Sequence, residues 1–77
     1  MQKQVTIYSG TGCGGCTAAK NFFKKNNIEF TEFNIQTSEP AMQFLMKKGI
    51  QSIPFIIIGD IEIIGFNEEK IIQALSA

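Results

Sequence analysis

The sequence predicts an α/β protein in which a four-stranded mixed sheet is flanked by three helices, in the order β-α-β-α-β-β-α. Short apolar runs alternate with segments whose apolar residues recur at helical spacing, which is the pattern of strands alternating with helices. Two of the runs are separated only by Gly59-Asp60, a dipeptide typical of a hairpin loop. A helical crossover makes the first two strands parallel and the hairpin adds an antiparallel partner, so the sheet is mixed.

The first half of the chain predicts two strands and two helices. Val5–Tyr8 is a short β-type run that ends in turn-forming residues, and Thr17–Asn26 repeats apolar residues at i, i+4 as a helix does. Ile28–Ile35 alternates apolar and polar residues, which indicates the second strand. Ser38 is a suitable N-cap for the next helix, and Gly49 ends that helix.

The second half predicts the hairpin and a last helix. Phe55–Ile58 is uninterrupted apolar sequence, as in a strand covered on both faces, and Ile61–Ile64 returns antiparallel to it. Asn67 caps the last helix, whose first turn is acidic. The expected apolar stripe of this helix consists of Ile71, Ile72 and Leu75.

Length and composition limit the partners. A chain of 77 residues has room for one core and one site, so we expect a single domain over residues 1–77, acting as a monomer. Seven Lys are offset by seven acidic residues, and Arg and His are absent, which argues against nucleic acid as the main partner. The N-terminal apolar run is too short for a signal peptide, and no segment approaches the ~20 apolar residues of a membrane span. We therefore expect a cytoplasmic protein.

Cys13 and Cys16 are the only cysteines, and they lie where the first strand gives way to the first helix. Unpaired backbone N–H groups and the helix dipole at that position favour a thiolate on Cys13. The i, i+3 spacing places Cys16 one turn along the same face, where its sulfur can attack a mixed disulfide on Cys13. A bridge across so short a loop would stabilise the fold little, so the pair predicts thiol–disulfide exchange.

Three alternative roles suit the same residues less well. A zinc site needs four ligands as a rule, so the pair would have to be shared across a homodimer. Inert core cysteines would need apolar neighbours, which the flanking glycines do not provide. Gly10–Gly15 also matches G-x-G-x-x-G, the dinucleotide fingerprint, between a strand and a helix. A dinucleotide site uses two βαβαβ halves, for which this chain is too short, and the acid expected after the second strand is absent. We therefore expect redox chemistry and no metal site.

Ser52-Ile53-Pro54 stands directly before the third strand. Proline at the first position of a strand loses no ladder hydrogen bond, so its presence there needs no functional reason. Only ~5–6% of X-Pro bonds in folded proteins are cis, so the residues alone do not predict a cis bond.

Three motifs at their joint spacing resemble the glutaredoxin family of the thioredoxin fold: the cysteine pair, Ser-Ile-Pro before strand three, and Gly65-Phe66 after the hairpin. The resemblance covers Val5–Leu75 and implies a thioredoxin-like fold of the glutaredoxin type. It implies that the Ile53–Pro54 bond is cis and lies beside the cysteines. It also implies that the backbone of Ile53 pairs with the extended chain of the substrate.

The resemblance implies roles for individual residues. Cys13 is the exposed nucleophile and Cys16 is the resolving thiol. The expected substrate-binding residues are Gly12, Ile53, Pro54, Gly65, Phe66 and Asn67. The expected supporting residues are Tyr8, Gly14, Gly15 and Lys20. Lys20 lies four residues after Cys16, where it could support an anion, although a solvated lysine is the simpler interpretation. Phe66 is equally consistent with a core aromatic.

Three departures from the family pattern concern the helix start and glutathione. Gly14-Gly15 stand where glutaredoxins usually have Pro-Tyr, and glycine in a helix costs up to ~1 kcal/mol relative to Ala. Gly10 stands where the family has a Lys that holds a glutathione carboxylate. Asn67 stands where the family has an Asp for the γ-glutamyl end.

Gly65-Phe66 is instead similar to the NrdH-type redoxins, glutaredoxin-shaped proteins that thioredoxin reductase reduces and that pass electrons to ribonucleotide reductase. We expect protein disulfides or glutathione-mixed disulfides as substrates, no tightly bound cofactor, and either glutathione or NADPH-dependent thioredoxin reductase as the reductant. The non-enzymatic alternative is carriage of a [2Fe–2S] cluster between two chains, for which cysteine thiolates are suitable ligands. That arrangement would need glutathione thiols as further ligands.

Overall fold

The computed structural model describes residues 3–77, and its elements follow the predicted order. The elements are β1 (Val5–Ser9), α1 (Gly14–Lys25), β2 (Thr31–Asn34), α2 (Glu39–Lys48), β3 (Phe55–Ile58), β4 (Ile61–Ile64) and α3 (Glu68–Ser76). Met1 and Gln2 of the predicted domain lie outside the described residues. The strands are ordered β2-β1-β3-β4, with β1 parallel to β2 and the other neighbours antiparallel. The predicted mixed sheet is confirmed.

One face of the sheet packs against α1 and α3. Ile7, Ile56 and Ile63 lie side by side across β1, β3 and β4, and all are buried. Phe23 from α1 and Ile71 from α3 are buried against them. Burying an aliphatic or aromatic side chain of this size contributes roughly 1.5–3 kcal/mol. This apolar layer fixes the position of α1, and therefore of the cysteines at its start.

The other face of the sheet is covered by α2. Successive strand residues point to opposite faces, so Tyr8 and Phe55 face away from α1. The ring of Tyr8 stacks on Phe44 of α2 at 5.1 Å between centroids and on Phe33 of β2 at 5.5 Å. The sheet therefore lies between two helical layers.

The predicted turns and caps are observed. Gly59-Asp60 joins β3 to β4. Ser38 is the N-cap of α2, and its hydroxyl accepts the Ala41 N–H at 3.4 Å. Gly49 ends α2 in the left-handed conformation with φ +72°, which glycine adopts without steric cost.

The first helix begins earlier than predicted. We expected helix from Thr17, but α1 starts at Gly14. The reason is the sulfur of Cys13, which accepts the Cys16 N–H at 3.1 Å and so acts as the N-cap. With its first turn satisfied in this way, the helix extends through both glycines between the cysteines.

Two other predictions are wrong in part. The strand predicted over Ile28–Ile35 is limited to Thr31–Asn34, because the N–H of its first predicted residue bonds to the carbonyl of Phe23 at 2.8 Å. That residue therefore belongs to the turn that ends α1. Ile72 is 48% exposed, and Ala74 takes the buried position on α3 instead.

Candidate active site

Three chain segments meet at one edge of the sheet. β1 and β3 are antiparallel with Tyr8 opposite Phe55, so the segment after β1 and the segment before β3 lie at the same edge. β4 ends there as well, because Ile64 lies opposite Phe55. The topology therefore brings together the cysteine pair, Pro54 and Gly65.

Cys13 and Cys16 form a disulfide, with their Cα atoms 5.2 Å apart. Cys13 is half-buried at the start of α1, whereas Cys16 is 1% exposed. Substrate sulfur can therefore approach Cys13 but not Cys16. This asymmetry suits attack by the first thiol and resolution by the second.

The start of α1 favours negative charge on Cys13. The N–H groups of a first helical turn have no carbonyl partner within the helix, and that of Cys16 already donates to the Cys13 sulfur. The first turn of α1 carries no acidic residue, so no carboxylate there opposes the roughly half positive charge of the helix dipole. Once the disulfide is reduced, this environment stabilises a thiolate.

Pro54 packs against the start of α1. The Ile53–Pro54 bond is cis, which confirms the expectation from the resemblance. The Pro54 carbonyl accepts the Gly65 N–H at 2.7 Å, and Gly65 has the positive φ of +83° that suits glycine. A Cβ built at Gly15 would lie 3.2 Å from Pro54 Cδ. The helix start, the cis proline and the exit of the hairpin thus form one compact unit.

Gly10 lies beneath the side chain of Ile53. A Cβ built at Gly10 would be 2.6 Å from Ile53 Cδ1, which is far closer than carbon atoms pack. An apolar side chain therefore fills the space where the family resemblance would place a lysine. Gly12 has φ +73° and no neighbour for a Cβ within 4 Å, so glycine suits the turn that leads into Cys13.

Phe66 and Asn67 have structural contacts in addition to their predicted place beside the substrate. Phe66 is half-buried, and its ring lies 6.1 Å from that of Phe22 on α1. Asn67 is the N-cap of α3, where its Oδ1 accepts the Lys70 N–H at 3.0 Å. Phe66 therefore links the segment before α3 to α1, and Asn67 satisfies a backbone N–H in the first turn of α3.

Lys20 is paired with an acid. Its Nζ lies 2.9 Å from Glu32 Oε2, and the same oxygen accepts a hydrogen bond from the buried Ser9 hydroxyl at 2.6 Å. These two hydrogen bonds, that of Ser9 foremost, hold the pKa of Glu32 below its usual range. The network ties α1 to β1 and β2 one helical turn beyond Cys16. Neither interpretation of Lys20 from the sequence included this ion pair.

Tyr8 is not brought to the disulfide. Its ring belongs to the aromatic layer beneath α2, on the face of the sheet that α1 does not cover. Burial raises the pKa of the Tyr8 phenol, and the positive charge of Lys48 offsets part of this rise.

Gln36 is a site residue that sequence reasoning missed. Its Oε1 accepts the Thr11 N–H at 3.0 Å, which holds the loop that leads to Cys13. The backbone N–H of Gln36 is in turn held by Asn34 Oδ1 at 2.8 Å. No motif marks this glutamine. What could have indicated this glutamine is its position two residues after the end of β2, at the edge of the sheet where the cysteine loop also begins.

A metal-binding cluster and a membrane-spanning helix are both absent from residues 3–77. Among these residues, no group of three or more His, Cys, Asp or Glu side chains is placed to hold a metal ion. Within that same part of the chain, no helix has the length and apolar character needed to cross a membrane.

The fold and the disulfide at the helix start define a thioredoxin-like redox protein. The glutaredoxin family model matches residues 5–63, and the chain belongs to the glutaredoxin family. Over 68 residues it is 28% identical to the glutaredoxin-like protein NrdH of Escherichia coli K12, covering 88% of this chain and 84% of that protein. It is 31% identical over 68 residues to a glutaredoxin-like 8.6 kDa protein in the rubredoxin operon of Clostridium pasteurianum, covering 87% and 91% of the two chains. The solved NrdH-redoxin of E. coli superimposes with a TM-score of 0.85 at 27% identity, covering 91% of this chain and 92% of that one.

Proposed function

We propose that this protein is a thiol–disulfide oxidoreductase that reduces disulfides of protein substrates through Cys13 and Cys16. The observation that carries the proposal is the disulfide at the start of α1, with a half-buried first sulfur and a buried second one. The start of the helix supplies the stabilisation of the thiolate, so the reaction needs no histidine, metal or bound cofactor. The protein would act in the cytoplasm, where reductases keep such pairs in the dithiol form.

The proposed cycle has two displacement steps. The Cys13 thiolate attacks one sulfur of the substrate disulfide, forms a mixed disulfide and releases the other substrate sulfur as a thiolate. The Cys16 thiolate then attacks the Cys13 sulfur, which forms the Cys13–Cys16 bridge and releases the second substrate thiolate. Two electrons pass from the protein dithiol to the substrate, and the two thiol protons leave with the substrate thiols. A reductant restores the dithiol.

We propose NADPH-dependent thioredoxin reductase as that reductant. Two observations support it: the similarity to proteins named NrdH, and the packing of Ile53 over Gly10, which fills the corner where glutaredoxins hold a glutathione carboxylate. In addition, the three segments that meet at the disulfide contain no charged residue. These segments are Gly10–Thr17, Ser52–Pro54 and Ile64–Asn67. An anionic tripeptide would therefore meet no lysine or arginine within these segments. Ribonucleotide reductase is then the first electron acceptor to test.

The deciding experiment starts from oxidised protein and follows NADPH consumption with a protein disulfide present. One arm contains glutathione and glutathione reductase, and the other contains thioredoxin reductase. We expect turnover with thioredoxin reductase and little with glutathione. Fast turnover with glutathione alone would overturn the choice of reductant and leave the dithiol mechanism intact.

A cysteine variant tests the mechanism itself. Cys13→Ser removes the proposed nucleophile, and we expect it to abolish turnover with either reductant. The matched control is Thr17→Ala, which alters an exposed residue on the same turn and leaves both sulfurs in place. Turnover by Cys13→Ser at the wild-type rate would refute the proposed function, whichever reductant is used.

A further inference from the structure

The two glycines between the cysteines have different surroundings. A Cβ built at Gly14 would meet no atom within 4 Å. A Cβ built at Gly15 would lie 3.2 Å from Pro54 Cδ and 3.9 Å from both Pro54 Cγ and Phe66 Cβ. Carbon atoms pack best about 3.5–4.0 Å apart, so even a methyl group at Gly15 requires a neighbour to move.

Pro54 is poorly placed to make that movement. It is buried, its carbonyl accepts the Gly65 N–H at 2.7 Å, and the next residue, Phe55, is wholly buried in the sheet. On its other side, Ile53 already packs against Gly10. A methyl group at Gly15 would therefore require the Pro54 ring or the start of α1 to shift by a few tenths of an ångström, and close-packed interiors transmit such a shift to their neighbours.

We propose that Gly15 is a positioning residue that sets the distance between Cys13 and the Ile53-Pro54 segment, and thereby favours protein disulfides over small ones. The inference rests on the proposed function and on the expectation, from the family resemblance, that the substrate chain lies along the backbone of Ile53 while its sulfur reacts with Cys13. A protein disulfide contacts Ile53 with its backbone and Cys13 with its sulfur at the same time. A shift of Ile53 relative to Cys13 therefore slows its reaction. A small disulfide needs only the sulfur of Cys13.

The test compares Gly15→Ala with Gly14→Ala. Both variants add one methyl group to the same helical turn, so the effect on helix propensity is matched. Each protein is fully reduced and mixed with excess disulfide in a single turnover, so the identity of the natural reductant does not enter. The probes are insulin, as a protein disulfide, and bis(2-hydroxyethyl) disulfide, as a small one. We expect Gly15→Ala to react with insulin about fivefold or more slowly than Gly14→Ala, and with the small disulfide within about twofold of it.

Two outcomes would overturn the inference while leaving the proposed function standing. Equal rates of the two variants with insulin would mean that the close contact at Gly15 has no consequence for the substrate. If Gly15→Ala reacted more slowly than Gly14→Ala by the same factor with both probes, Gly15 would act on the Cys13 thiolate and not through the Ile53-Pro54 segment.

Failure of the proposed function is a separate result. Wild-type protein that reacts with the small disulfide but not with insulin would refute reduction of protein disulfides. That result would also overturn the preference inferred for Gly15, because the preference is for protein disulfides.

Discussion

Replacing Ser9 by alanine should cost about 1 kcal/mol of stability at neutral pH. Ser9 is 1% exposed, and its Oγ donates to Glu32 Oε2 at 2.6 Å. A hydrogen bond to a charged group contributes roughly 1.5–3 kcal/mol. The Glu32 side chain is 33% exposed and keeps its ion pair with Lys20, so water and the lysine replace part of the lost bond. In a domain of this size, 1 kcal/mol lowers Tm by roughly 4–8 °C.

The sign of the pH dependence follows from the pKa of Glu32. Ser9 and Lys20 hold this pKa below its usual range, so the folded chain releases its proton at lower pH than the unfolded chain does. The stabilisation is fully present above the unfolded pKa of about 4.3 and is lost as the pH falls through the lower folded pKa. In Ser9→Ala, the pKa of Glu32 moves back toward its usual value. The difference in the free energy of unfolding between wild type and Ser9→Ala is therefore largest near neutral pH and becomes smaller in acid.

The assay is urea unfolding of the oxidised proteins at neutral pH and at about pH 3, well below the ordinary carboxyl pKa. Glu32→Gln and the double variant with Ser9→Ala complete a double-mutant cycle, which isolates the coupling between the two side chains. We expect a positive coupling that weakens in acid. The same cost of Ser9→Ala at both pH values, or no coupling in the cycle, would refute the reasoning, because the effect would then be one of packing.

Three further predictions concern the site and the core. Cys16→Ser should accumulate a covalent adduct with a protein substrate, because no second thiol resolves the mixed disulfide; mass spectrometry detects this adduct. Reduction of the substrate without an adduct would contradict the two-step cycle. Gln36→Ala should speed hydrogen exchange of the Thr11 amide about two- to tenfold, the range for loss of one exposed hydrogen bond; unchanged exchange would mean that the bond does not hold the loop. Leu45→Ala should cost about 2–5 kcal/mol in urea unfolding, since Leu45 is 2% exposed. Met46→Ala, at a position 68% exposed, should change stability by about 0.5 kcal/mol or less, and similar costs at both positions would contradict the packing of α2.

Most of the fold could be predicted from local signals. Ser38, Gly49 and Asn67 are caps whose chemistry acts within one helical turn, and the structure places each at a helix end. The starts of α1 and β2 could not be predicted in this way. The start of α1 depends on the Cys13 sulfur acting as an N-cap. The start of β2 depends on a turn in which the N–H of Ile28 donates to the carbonyl of Phe23.

The site was predicted less completely, because its contacts join distant parts of the chain. The cysteine spacing indicated the chemistry directly, and the cis bond before Pro54 followed only from the family resemblance. The pairing of Lys20 with Glu32 joins residues on different elements, as does the hydrogen bond from Thr11 to Gln36. Such contacts depend on how helices and strands are placed relative to one another, which residue periodicity does not specify.

Two of the three glycines that depart from the glutaredoxin pattern lie against the Ile53-Pro54 segment, whereas a Cβ at the third, Gly14, would meet no atom within 4 Å. Gly10 lies under Ile53, and Gly15 lies against Pro54. Two successive residues of one segment therefore pack against glycines that precede and follow Cys13 in the chain. A Cβ at Gly10 would meet the end of the Ile53 side chain, and a Cβ at Gly15 would meet the Pro54 ring. In the family pattern, a lysine at the first position would supply a cation for glutathione and would require the end of the Ile53 side chain to move. The Ile53-Pro54 segment and the cysteine segment contain no charged residue, which under the proposed function suits an extended protein chain better than an anionic tripeptide. Under the proposed function, the absence of the family's lysine and the packing of Ile53 over Gly10 thus favour the same class of substrate, a protein disulfide.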